Sequence, residues 1–179
     1  MKTKQLIFCA FFTALTVVGA FLRLPLGHVI VTMQFLFTLL AGLLLGAKWG
    51  AASQLLYLLL GFAGLPVFGG GGGIGYLLQP TCGFVLALPV CACLVGALTE
   101  RQPSRRCTAL ACAVVLALLY AVGLIYMYAV FRLHLGSTLP LAKMAALYLL
   151  PYLPGDCAKI FLCTLLYERL GRQLKLRKK

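Results

Sequence analysis

The chain alternates long uncharged stretches with short basic clusters. Between successive charges lie 18 residues from Lys4 to Arg23, 24 from Arg23 to Lys48, 51 from Lys48 to Glu100 and 25 from Arg106 to Arg132. A helix that crosses the hydrocarbon of a bilayer takes about 20 apolar residues, so the run of 51 predicts two helices and a connection. After Lys143 the last apolar stretch is interrupted by Asp156 and Lys159. The pattern predicts six spans, over residues 5–22, 31–47, 50–63, 82–99, 107–131 and 154–170. Residues 139–150 are apolar but short, with Pro140 inside their start and Pro151 and Pro154 behind them. They predict a helix lying at the outer surface, with a re-entrant piece as the alternative.

Composition narrows the class. Hydrophobic residues make up 63% of the 179 positions and charged residues 11%, against about 45–50% and about 25% in an ordinary soluble domain. So few charges cannot cover the surface of a soluble fold of this size, and so apolar a chain does not stay disordered. The fold class is an all-α integral membrane protein: one six-helix domain over residues 1–179, with an outer Gly-rich loop between the third and fourth helices.

The 16 Lys and Arg against 3 Asp and Glu give a net charge of +13. A nucleic-acid binder carries its excess on a solvated face; here the basic residues sit in short groups between apolar runs, which speaks for the flanks of membrane helices and against a nucleic-acid partner. Cytoplasmic flanks are enriched in Lys and Arg. A cytoplasmic N-terminus places Lys2, Lys4, Lys48, Arg101, Arg105, Arg106, Arg169, Arg172, Lys175, Arg177, Lys178 and Lys179 inside, 12 of the 16. Six spans return the C-terminus to the same side, so a multi-pass protein of the cell membrane with both termini cytoplasmic is expected. Residues 1–20 have a basic start and an apolar stretch like a signal peptide, but the length of that stretch and the five spans behind it predict an uncleaved first helix. Phe8 before Cys9 suits a lipoprotein cleavage site poorly.

Chemistry is scarce. The eight cysteines fall mostly inside apolar runs, where cysteine is a small apolar filler, and the only histidines are His28 and His134. No metal-ligand spacing and no nucleophile with an acid–base set is present, so neither an enzyme nor a metal or cofactor protein is expected. Glu100 and Glu168 sit beside Arg101 and Arg169 as interface charges. Asp156 differs. Pro154 suits the first turn of a helix, Asp156 then lies where the helix dipole favours an anion, and Lys159, three residues on, shares its face. Charges at membrane depth cost a few kcal/mol (about 2.5–3.5 each at the centre) unless paired or solvated. Two readings stand: a mutually neutralising cap, or a pair facing a pocket for a polar or zwitterion-like solute.

Three further features share attention. Residues 64–84 form an uncharged connection with five consecutive glycines, Gly69 to Gly73. It lacks the Gly-Lys-Ser/Thr ending of a phosphate loop. Glycine permits close backbone approach to a ligand, irregular backbone at membrane depth must be covered by protein or line a cavity, and Pro66, Phe68, Tyr76 and Pro80 suit a solvated tether poorly. Gln34 opens the second span at the same outer end, against a ligand or against lipid headgroups. Ala10 and Ala14, four apart on the first helix, form a small-residue strip that lets another helix approach closely, either a partner's or one of this chain's own.

Together these segments resemble the BioY family, the biotin-specific substrate-binding (S) components of energy-coupling factor (ECF) transporters, over nearly the whole chain. The resemblance rests on Thr32-x-Gln34 with Leu40-Ala-Gly-Leu-Leu-Leu-Gly46, on Gly64-Leu-Pro-Val-Phe-Gly-Gly, on Pro80-Thr81 with Gly83, and on Pro154-Gly-Asp156-x-x-Lys159. It implies a subunit that binds biotin from outside and is energised by a coupling transmembrane subunit and two ATPase subunits, since the chain has no nucleotide motif. The Ala10–Ala14 strip looks like the motif by which S components touch the coupling subunit. Substrate contacts are implied for Asp156, Lys159, Gln34, Tyr76, Phe68, Gly70 and Gly73. Lys159 is the natural partner of the biotin carboxylate and Asp156 the natural acceptor of the ureido N–H groups, with the reverse arrangement left open. Where the family usually reads Gly-Pro-Thr-Gly-Gly-Tyr, this chain has Gln79-Pro-Thr-Cys82-Gly83-Phe84. The alternatives are an S component for another vitamin or small solute, and a structural membrane subunit outside transport.

Overall fold

The computed structural model describes residues 2–26, 29–100, 104–134 and 140–174; His28, Arg101, Lys175, Arg177, Lys178 and Lys179, used above, lie outside them. Among the described residues the chain forms six α-helices, α1 (Lys2–Phe21), α2 (Gln34–Phe62), α3 (Cys82–Glu100), α4 (Arg105–Leu133), α5 (Leu141–Tyr148) and α6 (Leu153–Leu174), and one antiparallel ribbon of β1 (Arg23–Leu26) and β2 (Val29–Thr32). Four of the helices are long and apolar enough to cross a membrane, and the pair α5–α6, bent by 58°, adds a fifth.

The ribbon is a departure from the expected pattern. Val31 was expected to open a span, yet it pairs with Leu24, and helix begins only at Gln34. The run Val29-Ile-Val-Thr32 is β-branched throughout, which favours a pleated strand; hydropathy alone merges it with the helix that follows. The short helix expected within residues 139–150 is α5.

α2 is continuous in sequence but not in space. Gly46 adopts φ 83° and ψ 177°, a conformation that a Cβ would strain, and the chain doubles back there. The two arms, residues 34–45 and 47–62, run antiparallel: Gln34 reaches Tyr57, Thr38 reaches Gln54, and a Cβ on Gly50 would stand 2.7 Å from the Cα of Gly42. Gly42 and Gly50 allow the arms to touch backbone to backbone. α3 packs on this hairpin by the same means, with Gly42 against the carbonyl of Ala92 and Gly96 against Ala47. A lipid solvent offers no hydrophobic drive between helices, so such close approach supplies dispersion contact instead.

α1 buries one stripe, Cys9, Phe12, Thr13, Thr16 and Ala20, at the i, i+3, i+4, i+7 spacing of a helix face. Thr13 donates to the Ser53 carbonyl, and Thr16 accepts from the Gln54 amide. Gln54 also accepts from Thr38 and donates to Ser53, so this wholly buried amide is satisfied on both ends. Ala10 and Ala14 are exposed on the other side of α1.

The helices place two ends apart. Gly46, Glu100, Arg105 and Glu168 gather at one: a Cβ on Gly46 would meet Glu100 at 3.4 Å, and Arg105 pairs with Glu168 at 3.7 Å. Gln34, the start of α6, the ribbon and the glycine-rich connection gather at the other, about 18 Å away along the first arm of α2.

Candidate functional site

At that second end lies a cavity of about 350 Å³, within the range of small-molecule sites. Its floor is set by the first turn of α6. Asp156 Oδ1 accepts from Lys159 Nζ at 2.5 Å, and Oδ2 accepts from the Tyr120 hydroxyl of α4. Asp156 is 6% exposed and Lys159 5%. Three residues of separation stack the two side chains on one face, and Tyr120 fixes the carboxylate from across the bundle. The result is a buried cluster that is neutral as a whole, yet the ammonium keeps N–H groups and the carboxylate keeps lone pairs for a solute that both donates and accepts.

One wall is Gln34. Its amide donates to the Tyr57 hydroxyl at 3.0 Å, and Tyr57 donates to the Val67 carbonyl at 3.1 Å. The contact uses the amide N–H and leaves the amide oxygen for the cavity. Through Tyr57 the same chain of hydrogen bonds ties α2 to the glycine-rich connection.

That connection forms the rim. Phe68 and Gly71 exchange backbone hydrogen bonds in both directions, at 2.9 and 3.0 Å, closing a tight loop in which Gly71 has φ 124°. Gly73, at φ 88°, donates its N–H to the Gly61 carbonyl at 2.7 Å and starts the 3₁₀ turn Ile74–Leu78, which carries Tyr76 into the cavity. Burial pushes the Tyr76 phenol above its ordinary value, against the pull of a hydrogen bond with Thr81 and of the nearby Arg23 guanidinium. A Cβ on Gly70 would stand 2.9 Å from the Gln79 side chain. The lining also includes the apolar side chains of Phe35, Val85, Leu88, Leu119 and Met127.

Five of the seven positions expected to touch substrate, Asp156, Lys159, Gln34, Tyr76 and Gly70, therefore line one cavity. Phe68 and Gly73 do not. Phe68 is 1% exposed and stands one layer behind, edge-on to Tyr57 and Phe62 and against the Tyr76 ring at 4.6 Å between centroids. Gly73 shapes the turn from outside the lining. Both act on the cavity through Tyr76.

Sequence reasoning missed Tyr120, Tyr152 and Arg23, which also line the cavity. Tyr120 carried a signal: a phenol well inside an apolar span needs a hydrogen-bond partner, and the acids are few. Tyr152 comes from the corner between α5 and α6, where Pro151 and Pro154 signal a break in the helix but not the direction of the 58° bend. Gln79 also lines the cavity, and Cys82 is buried behind it, so the departure from the usual family sequence falls on the site.

Comparisons with known proteins bear on the family and the fold. The model of the BioY family matches residues 1–176. The probable biotin transporter BioY of Lysinibacillus sphaericus is 36% identical over 171 residues, covering 94% of this chain and 87% of that protein. The biotin transporter BioY of Thermotoga maritima is 33% identical over 170 residues, covering 94% and 96%. The crystal structure of the S-component for biotin from an ECF-type ABC transporter superposes with a TM-score of 0.72 at 31% identity, covering 96% of this chain and 93% of that one. The chain belongs to the BioY family.

Proposed function

We propose that this chain is the biotin-binding membrane subunit of an ECF-type uptake transporter, energised by a coupling transmembrane subunit and two ATPases. The observation that carries the reading is the buried Asp156–Lys159 pair at the floor of a cavity, in a chain whose relatives are named biotin transporters. Biotin has a ureido ring that donates and accepts hydrogen bonds, an apolar thioether ring and chain, and a carboxylate. A cavity lined by both polar and apolar side chains suits that set of groups.

The arms of α2 count as two spans in this reading, giving six in all. Positive residues concentrate at cytoplasmic flanks, so Lys48 and Arg105 assign the Gly46 end to the cytoplasm, with both termini, and the cavity to the outside. Asp156, Lys159, Gln34, Tyr76 and Gly70 touch the ligand, Phe68 and Gly73 shape the rim, and the exposed Ala10–Ala14 strip meets the coupling subunit. The chain does no chemistry on its cargo.

The test is binding of radiolabelled biotin to the purified protein, with other vitamins as competitors. Saturable binding displaced by unlabelled biotin alone is expected. Displacement by another vitamin at lower concentration, or no saturable binding, overturns the reading.

A further inference from the structure

We infer that Arg23, at the open end of the cavity, is the anchor for the ligand's carboxylate, and that Lys159 is not. The inference rests on the biotin reading above and assigns the ends of the ligand within it.

The sequence holds only three acids. Asp156 is bound to Lys159, Glu168 is paired with Arg105, and Glu100 lies beside Gly46 at the far end of the bundle. None of them is set against Arg23. Among the described residues the charged ones that line the cavity are Arg23, Asp156 and Lys159, so these give it one net positive charge once the pair on its floor is cancelled. That charge resides on Arg23.

The floor is a poor seat for a carboxylate. Lys159 is 5% exposed and its ammonium already holds Asp156. A second carboxylate there would place two anions on one cation in a low-dielectric site, and like charges at that distance disfavour joint ionisation. A ureido group meets the same cluster without adding charge: its N–H groups face Asp156 and its oxygen faces Lys159.

The rim is a good seat. Arg23 is exposed while lining the same cavity, so a carboxylate beside it stays partly hydrated and is spared most of the desolvation that burial would impose. A guanidinium presents a planar fork that matches a carboxylate in a two-bond geometry. Its position is defined: Nη2 lies 3.6 Å from where a Cβ on Gly69 would stand, over the glycine loop and beside Tyr76. The apolar side chains of the lining suit the thioether ring and the aliphatic chain that separate the two polar ends of biotin.

Titration calorimetry on the purified full chain in a phosphate-free, lipid-free detergent tests this with two ligands, biotin and its neutral amide. The wild type is expected to prefer the acid by about tenfold or more, the worth of a hydrogen bond to a charged group. Arg23→Gln is expected to remove that preference, weakening biotin and leaving the amide within about threefold, in the range of a neutral substitution at an exposed position. Amide binding doubles as the check that the variant is folded. Raising the salt is expected to narrow the preference in the wild type, because an exposed ion pair is screened, and to change nothing in Arg23→Gln. Equal weakening of both ligands, or of neither, overturns the assignment and leaves Arg23 to lipid phosphates or to the shape of the rim. Loss of the preference in Lys159→Ala with Arg23 intact overturns it in favour of Lys159. A wild type that binds neither ligand refutes the biotin reading itself, and this inference with it.

Discussion

Two buried polar clusters sit in the same apolar body and are built on different terms. Between α1 and the arms of α2, Thr16, Thr38 and Gln54 are fully buried and hydrogen-bonded to one another with neutral groups alone. Between α4 and α6, Tyr120, Asp156 and Lys159 hold a carboxylate and an ammonium against a cavity. The neutral cluster joins three helix segments, and its buried amide and hydroxyls are hydrogen-bonded, as buried polar groups must be. Replacing a buried ion pair by packed apolar side chains is often neutral or stabilising. A chain with three acids places one of them against a cavity. In the function proposed above, the neutral cluster serves folding and the charged one binding.

The sharpest way to break that division is Lys159→Ala. Asp156 is then left buried without its cation, a penalty of about 3–5 kcal/mol in stability, and biotin affinity is expected to fall by at least about a hundredfold, some 2.7 kcal/mol. Thermal unfolding and calorimetry on the same sample read both. The double variant Asp156→Asn with Lys159→Met separates them: stability should return toward the wild type because no charge is left unpaired, while binding stays lost. Recovery of binding in the double variant would mean that the charges are there for the fold.

Tyr120→Phe is a smaller intervention. It deletes one hydrogen bond to the carboxylate and leaves the ion pair intact. A hydrogen bond to a charged group contributes about 1.5–3 kcal/mol, and part of that is recovered by a water in the cavity, so a loss of about tenfold in affinity is expected, with little change in unfolding temperature. An unchanged affinity would show that Lys159 alone holds Asp156 in place.

Gln54→Leu probes the other cluster. It removes an amide that Thr38 and Thr16 use, although each hydroxyl keeps a second partner in its own helix, the carbonyls of Gln34 and Phe12. The expected result is the inverse of the Tyr120 variant: a stability loss of about 1–2 kcal/mol with biotin affinity within about threefold. Gln34 stands one turn from Thr38, so a large loss of affinity here would show that the neutral cluster also sets the cavity wall.

How much of this was legible in the sequence follows the same division. The span pattern was read from charge-free runs because lipid imposes a length on every helix, and the helices begin and end near the expected residues. The expected gap between the second and third spans lies at residues 48–49, whereas the chain reverses at Gly46, inside the expected second span; the contact of Gly42 with Gly50 has no sequence signal, since close approach depends on which faces meet. Asp156 and Lys159 were found because an ion pair is conspicuous in an apolar run. Tyr120 and Arg23 lie outside the expected site: Tyr120 is one of three tyrosines in its span, each in need of a partner, and which of them meets the acid, like what a lone arginine after a helix faces, is set only when distant segments meet. The resemblance implies substrate contact for Phe68 and Gly73, while tertiary packing leaves both outside the residues that line the cavity.

The smallest expected effect on binding belongs to α1, and it completes the comparison from outside. Thr13 and Thr16 face the neutral cluster, while Ala10 and Ala14 are exposed on the other side of the same helix. Neither alanine extends beyond Cβ, so a partner helix can approach closely along that strip, and larger side chains would hold it away. Ala10→Leu with Ala14→Leu adds apolar surface where lipid already lies, so the isolated protein should fold and bind biotin as before. Uptake by cells carrying the partner subunits should fall to the level seen without them. Measuring binding and uptake on the same variant decides between three faces. Loss of both would mean that the larger side chains disturb the fold itself, and the strip would not be a separate partner surface. Loss of neither leaves α1 in lipid and moves the coupling surface elsewhere. Loss of uptake alone makes α1 a helix with one side for the fold and one for the transporter, and it confines the ligand to the charged end of the molecule.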